Sequence, residues 1–420
     1  MKKLFLIFIG LLFGIAIHAQ QEMRIWSDGE SKRVSLSDMG NMLFSDGKLT
    51  LGDTIYTIAD IDSIVPVQKV YVSFSADAAT VDIPAALADS VSAEINGAYV
   101  TLTNKDISNE IDVILSGASD NGGFTYNGSY KVSIILNGLS LTSQQGAALD
   151  IKSGKRVDLE LVEGTVNTLV DYASGEQKGA LYCKGHMEVS GAGSLSVTGN
   201  AKHAICTKEY LQLKKSTGAI TIVSAASDAI HAGQYFQMNG GTLTVDGSTM
   251  GDGIQVETAM RDSITEEKDT LSIPDLTKNH NGQIIIKGGT INMDIDHEDC
   301  KGLKCDSLVT ISGGTIAINA NAGGSRGIQS EGNMTISEIS GDDNPTSITI
   351  NVNGRRCTNP EHTDDHRCIG MRIKNKLTVT DGKTIVKWPN ATYAADTYQI
   401  RVGAYEKTGG SLTGWVTYSN

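Results

Sequence analysis

Two short phrases place an aspartate at the same point of a repeated pattern: Asp228-Ala229-Ile230-His231 and Asp252-Gly253-Ile254-Gln255, 24 positions apart. If the repeats stack as strands, the two carboxylates stand about 5 Å apart. Ionised carboxylates at that distance repel, so one takes a proton or a cation sits between them. Calcium suits such a place, being a hard ion that binds Asp oxygens and carbonyls and tolerates irregular geometry. More acid follows at Glu257, Asp294, Asp296, Glu298 and Asp299. The candidate metal ligands are therefore Asp228, Asp252, Glu257, Asp296 and Asp299. Any one of them fits ordinary turn chemistry, since Asp beside Gly is a turn signal. Two in register on successive repeats point to a site.

A second column lies two places after the small residue of each phrase: Asp150, Tyr182, Cys206, His231, Gln255, Lys304, Gln329 and Arg372. If the Ile or Leu before each points inward, these residues point outward, because side chains alternate along a strand. Any solvated face shows polar groups there. A line of His, Gln, Lys and Arg also supplies donors for sugar hydroxyls or carboxylates, and the column alone leaves both readings open. The candidate carbohydrate contacts are His231, Gln255, Lys301, Lys304, Arg326 and Arg372.

Both columns depend on a repeat. A small residue followed by Leu, Ile or Met recurs at Ala148, Ala180, Ala204, Ala229, Gly253, Gly302, Gly327 and Gly370, mostly in steps of 24 or 25. The long steps read as units with insertions, chief among them a charged stretch from about 258 to 281 that is either a solvated loop or a flap. A fixed period of this size means a stacked array. Bursts such as Ile220-Thr221-Ile222 and Leu243-Thr244-Val245, bounded by Gly, Asn and Asp, are half-buried strands. The LxxLxLxxN signature of leucine-rich repeats is absent. The expected fold is all-β: a right-handed parallel β-helix, a solenoid, with a small N-terminal β domain. Residues 20–105 form the N-terminal β-rich segment and cap, 106–388 the β-helix, and 389–420 a closing cap. Glycine is 46 of 420 residues and proline six, a composition of many tight turns and few rigid linkers.

Residues 1–19 read as a signal peptide: Lys2 and Lys3, an apolar run from Leu4 to Ala16, and small Ala19 before the cut. That run is shorter than the ~20 residues of a spanning helix. The mature chain is expected to be secreted, at the cell surface or in the periplasm, and monomeric. A net charge of −13 disfavours nucleic acid and anionic membrane as partners. It disfavours acidic polysaccharide too, unless a cation mediates. Export makes disulfides the default for the six cysteines. The spacing pairs Cys183 with Cys206, Cys300 with Cys305 and Cys357 with Cys368. Zinc held by Cys357, His362, His366 and Cys368 is the competing arrangement.

In order along the chain stand Glu163-Gly164-Thr165-Val166-Asn167-Thr168-Leu169, Gly191-Ala192-Gly193-Ser194-Leu195, Asp228-Ala229-Ile230-His231-Ala232, Gly240-Gly241-Thr242 and Gly251-Asp252-Gly253-Ile254. Together they resemble the exported bacterial carbohydrate-binding β-helix domain of cellulose- and pectin-binding proteins, similar in fold to calcium-dependent pectate lyases. The resemblance covers roughly residues 105 to 330. It implies calcium on Asp252 and on Asp228. The chain departs from the pattern at Ala229, where Gly is expected, and at Lys301 and Arg326, where Asp is expected.

The function expected is non-catalytic binding of polysaccharide, acidic and pectin- or polygalacturonate-like, through calcium and a strand face. A calcium-dependent polysaccharide lyase is one alternative: β-elimination needs a cation to polarise the uronate and a base to take the adjacent proton. A structural or adhesive surface protein is another. Gly323-Gly324-Ser325-Arg326-Gly327 matches G-x-S-x-G but leads into another strand unit, so it reads as a turn rather than a nucleophile elbow.

Overall fold

The computed structural model describes residues 22–27, 30–35, 43–51, 54–264, 270–339, 341, 344–357, 366–389 and 397–419. The candidate signal peptide lies outside the described residues, as do His362 and the Glu266–Asp269 part of the charged insertion. The chain divides into two units, 1–68 and 69–420.

In the first unit, Glu22–Ser27 pairs antiparallel with Glu30–Ser35 and with Ile61–Pro66. Leu43–Ser45, Lys48–Leu51 and Thr54–Thr57 make a second antiparallel sheet. The turn at Asp46-Gly47 has positive φ at both residues, the backbone that suits a two-residue hairpin. Ile25, Leu49 and Leu51 form its small core.

The second unit opens with two antiparallel pairings, Lys69–Ser75 with Ala78–Asp82 and Val91–Asn96 with Ala98–Asn104. From there parallel pairing dominates, and each strand bonds to a counterpart about two dozen residues further on. Leu181, Ile205, Ile230, Ile254, Leu303, Ile328, Met371 and Ile400 succeed one another in register. So do Val197, Ile222, Val245, Met293, Ile318 and Ile350. All of these are buried and belong to one continuous core. Alternation does the rest: inward aliphatic residues make the core, and their neighbours in sequence make outward polar columns.

The right-handed parallel β-helix expected from the repeat, an open solenoid, is corrected by the pairing. The strands from Lys69–Ser75 to Val416–Tyr418 join into one sheet that closes on itself as a barrel, and the hairpin Met260–Ile264 with Thr270–Pro274 lies outside it. The period fixes which residues are neighbours on adjacent strands. It carries no information about whether the sheet closes, because closure depends on strands far apart in sequence. Among the described residues no helix is long and apolar enough to cross a membrane.

The three disulfides are corrected as well: all six cysteines are free and buried. The register pairs Tyr182 with Cys206 and Cys183 with Thr207. An offset of 23 against a register of 24 therefore puts the two sulfurs on opposite faces of the sheet. Lys301–Cys305 is an extended strand, spanning about 13 Å, so Cys300 and Cys305 lie too far apart to bridge. Cys300 Sγ instead donates to the Met250 carbonyl at 3.3 Å. Cys357 Sγ donates to Glu298 Oε2 at 3.3 Å, while Cys368 Sγ lies 3.4 Å from Ser325 Oγ. His366, from the zinc alternative, bonds Asp299 Oδ1 through Nδ1 at 2.7 Å.

Candidate functional site

The outward column is continuous. Asp150, Tyr182, Cys206, His231, Gln255, Lys304, Gln329 and Arg372 are partners in succession, one strand to the next. The column one place before the small residue runs beside it and holds His203, Asp228, Asp252, Lys301 and Arg326. Most of the expected site residues fall on these two lines.

Asp228 is the hub of their upper part. Its Oδ2 lies 3.2 Å from His203 Nδ1 and 3.3 Å from His231 Nδ1, and its Oδ1 accepts the Asp252 N–H at 3.0 Å. The two imidazoles stack, centroids 4.5 Å apart. His203 is 3% exposed and Asp228 7%, so the contacts are made largely out of water. Burial opposes charge on Asp228, yet the two imidazoles and the Asp252 N–H outweigh it and hold its carboxyl well below the usual range. Burial also opposes charge on His231, but Asp228 and Glu257 win and push it up to about 9. Glu257 Oε2 sits 3.6 Å from His231 Nε2.

Asp252 repeats the arrangement with different partners. Its Oδ1 accepts the Lys301 N–H at 2.8 Å, and Lys304 Nζ lies 3.2 Å from Oδ2. Lys304 also donates to Gln255 Oε1 at 3.4 Å. Burial pulls Lys301 below the usual lysine value, against the attraction of Asp252 and with the repulsion of Lys304 and Arg326. Further along, Arg326 bonds Gln329, Arg372 meets Glu331 Oε1 at 3.1 Å, and Lys374 meets Glu331 Oε2 at 3.6 Å.

Calcium between Asp228 and Asp252 does not fit this donor set. The ion wants six to eight oxygens. Here Asp228 faces two imidazole nitrogens and an N–H, and Asp252 faces an N–H and an ammonium. The repulsion expected between stacked carboxylates is relieved by protein cations and backbone donors instead. Nor do the remaining acids assemble with them. Asp296 Oδ1 accepts from Asn321 at 2.6 Å and Asp294 Oδ1 from Asn319 at 2.7 Å, each opening a ladder of amides that continues to Asn353 and Asn351. Asp299 holds His366. Among the described residues the side chains grouped closely enough for a metal ion are His203, Asp228 and His231.

Sequence reading missed His203. It stands one place before Ala204, the same offset as Asp228 before Ala229, and the column would have found it. The reading also passed over a groove at the start of the outward column, about 350 Å³, lined by Asp150, Tyr182, Lys152, Lys178 and Lys184 among others. On another face His186, Tyr210 and Tyr235 stack at 4.5 Å intervals, with His280 edge-on to Tyr235 at 5.5 Å. Both faces of Tyr210 are taken up by its neighbours, so its ring offers a sugar only an edge. Ser325 of the G-x-S-x-G match is fully buried and its Oγ donates to the Ala322 carbonyl at 2.7 Å. It is a turn residue, not an exposed nucleophile.

Residues 96–411 match the family of carbohydrate-binding domain-containing proteins. The chain belongs to that family. No curated protein matches it. Among solved structures it is similar to a polysaccharide lyase-like protein from C. thermocellum, determined as a gadolinium derivative. The TM-score is 0.50 at 20% identity, covering 65% of this chain and 98% of that one. At that identity the likeness concerns the fold.

Proposed function

We propose that the chain binds acidic polysaccharide of the polygalacturonate kind, without catalysis, along the outward column from Tyr182 to Arg372. The observation that carries this reading is the column itself. It offers a donor or acceptor at nearly every strand over about 29 Å, counted at about 4.8 Å per step from Tyr182 to Arg372. A polymer laid along it meets the same kind of contact repeatedly, and many weak contacts in line bind by multiplicity.

Charge favours an acidic chain despite the net −13. Among the described residues, Lys301 and Lys304 share one acid, Asp252, and Arg372 pairs with Glu331, while Arg326 bonds neutral Gln329. At the other end Lys152, Lys178 and Lys184 outnumber Asp150 and Glu176 in the groove around Tyr182. Cations at both ends of one line take the bridging role first given to calcium. Low aromatic content, 5%, and the self-stacked stripe of Tyr210 and Tyr235 argue against a platform for neutral crystalline glycan.

Affinity-gel electrophoresis tests the reading. Polygalacturonate in the gel retards the protein, a neutral glucan does not, and chelator leaves the retardation in place. Equal mobility in all gels would leave the strand array as a structural spacer.

A further inference from the structure

His203, Asp228 and His231 bring three metal-binding atoms together on adjacent strands, all within 4.8 Å of one another. Ordinary His–carboxylate pairs in this chain are short: His186 Nδ1 to Glu209 at 2.8 Å and His366 Nδ1 to Asp299 at 2.7 Å. Those are the lengths of charge-assisted hydrogen bonds, about 2.7–2.9 Å. At Asp228 both distances are longer, 3.2 and 3.3 Å, and both imidazoles address the same oxygen. A tetrahedral ion with bonds of about 2.0–2.1 Å sets its ligand atoms about 3.3 Å apart. The two spacings match that edge.

The surroundings are those a metal ligand needs. The N–H of Asp228 lies 3.3 Å from His203 Nδ1, a hydrogen bond to the ring's lone pair that an ion bound at that nitrogen replaces. The far nitrogen of His231 faces the Glu257 carboxylate at 3.6 Å. The far oxygen of Asp228 is held by the Asp252 N–H at 3.0 Å. Outer partners of this kind orient ligands and set affinity.

We propose that His203 Nδ1, Asp228 Oδ2 and His231 Nδ1 bind one divalent transition cation of the zinc class. Two imidazole nitrogens and one carboxylate oxygen select such an ion over calcium or magnesium, which require oxygen shells. Three protein donors leave a tetrahedral ion one position for water or for a glycan oxygen. The site does not depend on the polysaccharide reading, and either can fail without the other.

The test is calorimetric titration of metal-free, untagged full-length protein with Zn²⁺, with Co²⁺ as a spectroscopic substitute. One ion per chain is expected, together with the visible bands of tetrahedral Co²⁺. Millimolar Ca²⁺ should not displace it. His203→Gln and His231→Gln should each abolish stoichiometric binding, and Glu257→Gln should weaken it about 10–100-fold. His186→Gln, on the other face, should leave it unchanged. Circular dichroism reports whether each variant folds; should buried His203 be needed for folding, the less buried His231 carries the test. Absence of saturable Zn²⁺ binding, retention of it in folded His231→Gln, or displacement by Ca²⁺ would overturn the assignment.

Discussion

The carboxylate of Asp228 accepts the backbone N–H of Asp252, its neighbour one strand on, at 3.0 Å. Asp252 does the same for Lys301 at 2.8 Å. The two acids that spacing brings together are thus linked through the main chain. Each caps the next strand at a point where the turn leaves an N–H without a ladder partner.

Asp252→Ala removes that acceptor from a buried N–H and strands Lys304 beside it. We expect a loss of about 1–3 kcal/mol in stability, read from the urea midpoint with an unchanged m-value. An unaltered midpoint would mean the cap contributes nothing.

All six cysteines are thiols. Burial pushes Cys183 and Cys206 up to about 12, which keeps them protonated and slow to react. Denatured protein never exposed to reductant should therefore titrate six thiols with Ellman's reagent, and native protein should react slowly. Four or fewer in the denatured chain would restore a disulfide.

Glu209 supplies a pH dependence. The hydrogen bond from His186 lowers its carboxyl most; burial opposes, and Lys278 adds to the lowering, leaving it at about 2 against the usual 4.5. A carboxyl depressed on folding stabilises above its unfolded value and ceases to do so as pH falls through the folded one. The stability difference between wild type and Glu209→Gln should be full above about pH 5 and shrink between roughly pH 4.5 and 2. A difference that stays constant through that window would contradict the pairing.

Tyr210 lies between His186 and Tyr235 in the aromatic stripe, and its hydroxyl donates to Glu188 at 2.9 Å. Tyr210→Ala should cost about 1–3 kcal/mol, the loss of two ring contacts, without altering retention on polygalacturonate. Tyr182→Ala, in the groove of the outward column, should do the reverse. Thermal unfolding and the affinity gel, run on both variants, separate the two faces.

The neighbour relations were readable before any coordinates: the column from Asp150 to Arg372 follows from steps of 24 and 25 with three longer ones. Asp228 and Asp252 accordingly lie where the period puts them. His203 and Lys304 stand on the same columns, but that the ring of one turns onto Asp228 and the ammonium of the other onto Asp252 is set by side-chain rotamer, which the period does not report. The Cys183–Cys206 pair failed on parity: 23 is one short of the register, and a single residue turns Cys183 to the face opposite Cys206. Closure of the sheet was invisible for a related reason, since local alternation reports pairing between successive units and nothing about the sheet as a whole. The groove around Tyr182 depends on Glu176, Gln177 and Lys178 in a connection between strands, where no periodicity guides a reader.

The most direct test of the polysaccharide reading is calorimetry with galacturonate oligomers of increasing length, on wild type and on Lys304→Ala/Arg372→Ala, at two salt concentrations. Affinity that climbs with oligomer length, weakens with salt and falls at least tenfold in the double variant is the predicted result. Binding that is indifferent to length, or equally tight in the folded double variant, would contradict a glycan laid along this column.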